Sequence, residues 1–274
     1  MAEEDKRKII DVKKVIKEKS PGFYKYAPSF IIKYIQKILH EDDVNQFIHE
    51  HRDDSPIDFC LSVMKKFNIQ VTTEGLENVP ENGGVVLAMN HPLGGMDAMA
   101  LVTVIHEKRP DVKFIVNDVL LNLDNLKSIF VGVDVVNKKA NGSLMKVDDL
   151  FTSDNVICIF PAGLVSRKID GVVQDLEWKK TFISRSIMHK KNIIPVYIEG
   201  RLSNFFYNLY SLRKKLGIKG NIEMLYLVNE LYKQHNVKIK ISFGELIHIE
   251  KLDDSRSHRG WAKFVKEEVY KLRK

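Results

Sequence analysis

The sequence predicts an α/β protein with a mostly parallel central β-sheet, helices on both faces of that sheet, and an N-terminal helical subdomain. Three observations point there. From Ile69 onward, short and almost wholly apolar runs alternate with amphipathic stretches, the pattern of strands buried on both faces and joined by crossover helices. Residues 1–68 lack such runs and read as helical instead. The chain has 274 residues, 44% hydrophobic and 29% charged, enough for one large core with a small appendage.

Taken in order, Ala27, Phe30, Ile31, Tyr34, Ile35, Ile38 and Leu39 recur at i, i+3, i+4, i+7 spacing, with Lys33, Gln36 and Lys37 opposite. This predicts an amphipathic helix over 27–39. Its apolar stripe suits packing on the protein's own domain and also contact with a membrane surface. Seven carboxylates follow between Glu41 and Asp58. Ser55 then reads as an N-cap with Pro56 at the first helical position, opening a helix to about Phe67. Strands are predicted at 69–73, 85–89, 113–117, 130–136, 156–160, 193–198 and 237–243. Helices are predicted at 97–108, 143–151, 179–190, 222–233 and 257–272. The domains expected are therefore 1–68, helical, and 69–274, α/β.

Charge and composition narrow the function. The net charge of +7 favours an anionic partner: nucleic acid, anionic lipid or an acidic carrier protein. Zinc-finger spacing, an RNP-type aromatic motif and a basic low-complexity arm are all missing, which counts against nucleic acid. No run approaches the ~18 apolar residues of a membrane span. Met1–Lys19 mixes both signs of charge around no apolar core, unlike a signal peptide. Cys60 and Cys158 lie far apart in apolar surroundings, as in a reducing compartment. The nine histidines are scattered, with no HxxxH or HExxH spacing and no CxxC, so neither a metal nor a cofactor is expected. The GxSxG elbow of serine hydrolases does not occur.

The most informative stretch runs from Val85 to Asp97. A buried strand ends in Asn90-His91, passes Pro92-Leu93-Gly94-Gly95, and reaches Asp97 at the head of an apolar segment. A histidine at a strand end with a carboxylate one loop away is the layout of a general base, the carboxylate holding the imidazole in one tautomer. The two glycines permit backbone angles that other residues resist. Asp97 also suits a plain helix N-cap. A second strand leaves through Phe160-Pro161-Ala162-Gly163, followed by Ser166-Arg167; backbone N–H groups at such a turn bind oxyanions, and arginine adds a bidentate anion contact. It suits an ordinary chain reversal as well. A third exit is Ile194-Pro195-Val196 to Gly200-Arg201. Beyond it, residues 200–222 hold Arg201, Arg213, Lys214, Lys215 and Lys219 and no acid, interleaved with Phe205, Phe206, Tyr207 and Tyr210. That mixture fits an anionic membrane interface and equally a packed helix with snorkelling cations.

These exits, in this order, resemble the motifs of the glycerolipid and lysophospholipid acyltransferase superfamily, typified by 1-acylglycerol-3-phosphate acyltransferase. Asn90-His91 and Asp97 stand where the family has Asn-His, four residues and Asp. Phe130 to Asn137 is similar to its second block, Phe160-Pro161-Ala162-Gly163 to its Phe-Pro-Glu-Gly, and Ile194-Pro195-Val196 to its fourth. Coverage runs from about Ile69 to Arg201. The departures are specific: five residues rather than four separate His91 from Asp97, the family Glu is Ala162, and the Arg two residues past Gly163 is Val165. Together, the double glycine, Ser166-Arg167 and the tail from Gly200 to Tyr207 resemble a narrower bacterial branch, often labelled hemolysin-like, with O-acyltransferases of lyso-ornithine and lyso-glycine lipids.

The resemblance implies acyl transfer from a thioester, on acyl carrier protein or coenzyme A, to a lysolipid hydroxyl. His91 would deprotonate that hydroxyl and Asp97 would orient His91. A backbone N–H near Gly163 would stabilise the oxyanion. Asn90, Gly94, Gly95, Asn137, Lys138, Phe160, Pro161, Ala162, Gly163, Ser166, Arg167 and Arg201 would surround the substrates, with Arg167 standing in for the missing Arg. The expected acceptor is a lyso-aminolipid, with lysophosphatidate as the alternative and a non-catalytic, peripheral membrane-binding protein as a further one. The expected location is peripheral, on the cytoplasmic side of the inner membrane.

Overall fold

The computed structural model describes residues 8–117, 123–133 and 141–274. The chain divides into two compact units, residues up to Asp53 with Ser203–Lys233, and Asp54–Leu202 with Gln234–Lys274.

The second unit is built on a sheet of β1 (Gln70–Glu74), β2 (Val85–Met89), β3 (Val112–Asn117), β4 (Phe130–Val133), β5 (Val156–Ile159), β8 (Asn192–Ile198) and β9 (Lys238–Phe243), in the order β1-β9-β8-β2-β5-β3-β4. All neighbours are parallel except β8 and β9, so β1 and β9 run against the rest. Every residue of β2 is buried, as its unbroken apolar sequence requires. Val86 and Ala88 face a core with Leu150 and Phe151 of α7 (Asn141–Thr152), Phe182 and Ile183 of α8 (Thr181–Met188) and Trp261, Val265 and Val269 of α11 (His258–Lys271). By strand alternation Leu87 and Met89 face the other way, and α6 (Gly95–Ile105) follows this strand in the chain. Helix α5 (Pro56–Lys66) starts as expected, with Ser55 Oγ accepting the Asp58 N–H at 3.2 Å, and packs along α6. The hairpin of β6 (Arg167–Ile169) and β7 (Val172–Gln174) was not among the predicted elements.

The first unit is helical: α1 (Val12–Lys19), α2 (Pro21–Tyr26), α3 (Ser29–Ile38), α4 (Glu41–Glu50), α9 (Asn204–Lys215) and α10 (Leu227–Tyr232). Its division from the sheet differs from the expected boundary at 68. Helix α5 groups with the sheet, and Ser203–Lys233 joins the N-terminal helices. Tyr34 and Tyr226, 192 positions apart, share a hydrogen bond of 2.9 Å. Within 200–222 the basic cluster is not uniformly solvated. Arg213 is buried against the buried Glu223, Nε to Oε2 2.8 Å, while Lys214, Lys215 and Lys219 stay exposed. The predicted helix at 222–233 is a tight turn over Ile222–Tyr226 followed by α10. Among the described residues no helix is long and apolar enough to cross a membrane.

Candidate active site

Strands β2, β5 and β8 end side by side, Ala88 level with Ile159 and Pro195, and Met89 with Val196. The three exits singled out in the sequence therefore leave from one edge, the carboxyl end where open α/β sheets place ligands.

His91 Nδ1 lies 2.8 Å from Asp97 Oδ2. Asp97 is completely buried, whereas the His91 side chain is 19% exposed. Phe160, at the end of β5, stacks on the imidazole with ring centres 4.1 Å apart. The loop between the pair closes because Gly94 takes φ +72 and ψ −135 as the N-cap of α6, a conformation that L side chains resist. Gly95 opens the helix, and Asp97 sits in its first turn rather than at the cap. Its carboxylate reaches back to accept the Leu93 N–H at 3.0 and 3.2 Å. One side chain thus braces the helix start and orients the histidine. Burial pushes the Asp97 carboxyl above its ordinary range; the donors from His91 and Leu93 oppose that rise, and nearby Asp175 adds to it.

Asp175, buried between β7 and α8, is a site residue that the sequence reading missed. Its Oδ1 accepts the His91 N–H at 3.2 Å and the Ser166 hydroxyl at 2.5 Å, and its Oδ2 accepts Trp178 Nε1–H at 2.8 Å. The Ser166 N–H in turn donates to the His91 carbonyl at 2.7 Å. The peptide groups on both sides of His91 are therefore held from one direction while Asp97 holds its ring from another. No motif marks Asp175; the one cue was a tryptophan three residues on, whose buried indole needs an acceptor.

The other expected residues fall into distinct places. Asn90 is buried and exchanges two hydrogen bonds with Ile198, donating to its carbonyl at 2.9 Å and accepting its N–H at 2.7 Å, which ties the β2 exit to β8. Pro161 accepts the Lys179 N–H at 3.0 Å, and Ala162 is buried. The Gly163 N–H donates to the Phe160 carbonyl at 2.9 Å, so it closes its own turn. Arg167 is fully buried and donates to the Val165 carbonyl at 2.5 Å, inside the protein rather than on an open surface. Asn137 and Lys138 lie outside the described residues. Beside the His91 loop a cleft of about 560 Å³ opens; Asn90, Ser166 and Arg201 come together in its lining, with Pro92, Tyr197, Tyr270 and Arg273.

One end of the mostly parallel sheet thus gathers the three motifs on which the sequence resembles the acyltransferases: the imidazole–carboxylate pair, the Phe-Pro-Ala-Gly turn and the Ile-Pro-Val strand. The sequence matches the family described as acyltransferase over residues 14–274, and the chain belongs to that family and is an acyltransferase. It is 42% identical over 265 residues to a lyso-glycine lipid O-acyltransferase of Bacteroides thetaiotaomicron, covering 96% of this chain and 97% of the relative. A protein of the same name from Phocaeicola vulgatus is 39% identical over 265 residues, covering 96% and 95%. Among solved structures, the fold matches the 1-acyl-sn-glycerophosphate (LPA) acyltransferase PlsC of Thermotoga maritima, with a TM-score of 0.51, 18% identity, and 95% and 91% of the two chains covered.

Proposed function

We propose that this acyltransferase moves a fatty acyl group from a thioester, acyl carrier protein or acyl-CoA, to the free hydroxyl of a lyso-aminolipid of the lyso-glycine type. The observation that carries the reading is the 2.8 Å contact between His91 Nδ1 and the buried Asp97, in a chain 42% identical to a lyso-glycine lipid O-acyltransferase. With its Nδ1–H donated to Asp97, the imidazole keeps Nε2 free to act as an acceptor. Nε2 takes the proton of the acceptor hydroxyl as that oxygen attacks the thioester carbonyl. Asp97 stabilises the resulting imidazolium. The tetrahedral intermediate collapses, the C–S bond breaks, and the leaving thiolate takes the proton back. The thioester is already activated, so no acyl-enzyme is required.

The helical unit suits the surface of an anionic membrane. Phe23, Tyr26, Phe30 and Tyr34 are exposed beside the exposed Lys25, Lys33 and Lys37. Leu212, Leu216 and Ile218 are exposed beside Lys214, Lys215 and Lys219. Apolar side chains flanked by cations settle into a negatively charged interface.

Purified protein given lyso-glycine lipid and either donor is expected to form the diacyl lipid, read by mass spectrometry. His91→Ala should slow transfer by roughly a hundred- to ten-thousand-fold; full activity in that variant removes the mechanism. A clear preference for lysophosphatidate in the same assay would favour the phospholipid-making alternative.

A further inference from the structure

The cleft beside the His91 loop has a polar, cation-rich lining to which neither His91 nor Asp97 contributes. Its charged groups are Arg201, Arg273, whose Nη1 also donates to the Val173 carbonyl at 3.5 Å, Lys274, which pairs with Glu74, and the single acid Glu199. Its walls carry the phenols of Tyr197 and Tyr270, whose rings meet edge to face with centres 5.8 Å apart. It touches the catalytic loop directly. Asn90 and Pro92, the residues on either side of His91, line it, as does Ser166, whose N–H holds the His91 carbonyl. A volume of about 560 Å³ lies within the range of small-ligand sites.

The turn after β5 meanwhile lacks the arginine that the superfamily resemblance expects two residues past Gly163. Val165 stands there, buried, and the guanidinium of Arg167 is turned to the Val165 carbonyl. An anionic group on a substrate therefore needs another set of cations, and the described residues gather one in this cleft.

We infer that the cleft is the head-group site of the acceptor, in which Arg201 and Arg273 bind a carboxylate while the acyl hydroxyl of the same molecule reaches His91. This rests on the reading of the protein as a lyso-aminolipid O-acyltransferase. Glycine joined to a lipid through its amine keeps one ionised group, its carboxylate, and a guanidinium pairs with a carboxylate through two parallel hydrogen bonds. The shared chemistry is an anionic oxygen cluster, which a phosphate of the donor also carries. Glu199 in the same lining repels a dianionic phosphate more strongly than a monoanionic carboxylate.

The test is steady-state kinetics of the full-length protein and of Arg273→Gln and Arg201→Gln, with lyso-glycine lipid, with its methyl ester, and with the donor varied. Arg273 and Arg201 are exposed, so the variants should fold, which circular dichroism checks. Each substitution is expected to raise the KM for the free acid by roughly tenfold or more, leaving kcat and the donor KM within about twofold. The unaltered protein should use the methyl ester with a similarly raised KM, which neither substitution raises further. Equal use of acid and ester by the unaltered protein, or equal losses on both in the variants, overturns the assignment while leaving acyl transfer intact. A raised donor KM with unchanged acceptor KM also overturns it and gives the cleft to the donor phosphate. No transfer by the unaltered protein to any hydroxylated lysolipid overturns both the assignment and the reading on which it rests.

Discussion

Replacing Asp97 by asparagine separates charge from shape at the centre of the site. The amide oxygen can still accept the Leu93 N–H, but the amide nitrogen must then donate to His91 Nδ1. That forces the imidazole proton onto Nε2, and the base is lost. In the serine-protease triad the equivalent exchange costs on the order of 10⁴ in kcat, and a comparable fall is expected here, with little change in acceptor KM. Stability should move the other way. Burial raises the Asp97 carboxyl above the 3.8 of an ordinary aspartate, so the unfolded chain sheds this proton at lower pH than the folded one. Over that interval folding stability declines as pH rises. Asp97→Asn lacks the decline, so denaturant unfolding should show it gaining on the unaltered protein as pH climbs through the interval; parallel curves would contradict the assignment. Asp175 obeys a different logic, because its two oxygens serve three donors from inside the protein. In Asp175→Asn either the Trp178 indole, or the His91 N–H together with the Ser166 hydroxyl, faces an N–H instead of an oxygen, at a cost of about 2 kcal/mol. If the indole is the donor left facing it, a double-mutant cycle with Trp178→Phe should return a coupling of about 1 kcal/mol or more. A coupling near zero would place the mismatch at His91 and Ser166.

The β8 exit passes close against the His91 loop. A Cβ built on Gly200 would lie 2.7 Å from Leu93 Cγ and Cδ1, and Leu93 is 3% exposed with its N–H on Asp97. Gly200→Ala must therefore displace Leu93, and with it the backbone that Asp97 grips. A loss of about 1–3 kcal/mol is expected, with a lower kcat, and a further Leu93→Ala should restore part of the activity by removing the obstructing atoms. Native-like melting and kcat in Gly200→Ala would show that the two exits are not tightly coupled. All three exits were legible in the sequence because each apolar run is punctuated by Pro or Gly at its end. The strand at 85–89 matches its predicted bounds for that reason. The β6–β7 hairpin was missed because three-residue strands are too short to show alternation. Its signal was nevertheless present: Asp170-Gly171 takes φ +49 and +82, the Asp-Gly pairing of a tight two-residue hairpin.

At the scale of the whole chain, periodicity identified the sheet and its helices but not which helices belong together. Grouping depends on contacts between distant segments, such as Tyr34 with Tyr226, and no local pattern encodes them. The consequence is concrete for α5, which a boundary at 68 assigns to the N-terminal helices and the structure groups with the sheet. Two buried thiols report on this difference, Cys60 in α5 and Cys158 in β5, each 0% exposed. Burial pushes the Cys60 thiol up to about 12 and the Cys158 thiol higher, so little of the reactive thiolate forms at neutral pH. Neither should react with a disulfide reagent in the native protein; labelling requires opening of the element that buries the thiol. If the sheet unit with α5 unfolds as one, peptide-resolved labelling across a urea series should give both cysteines the same midpoint. Reaction of Cys60 at clearly lower urea than Cys158 would mean that α5 opens with the N-terminal helices, and would move the functional boundary back to residue 68.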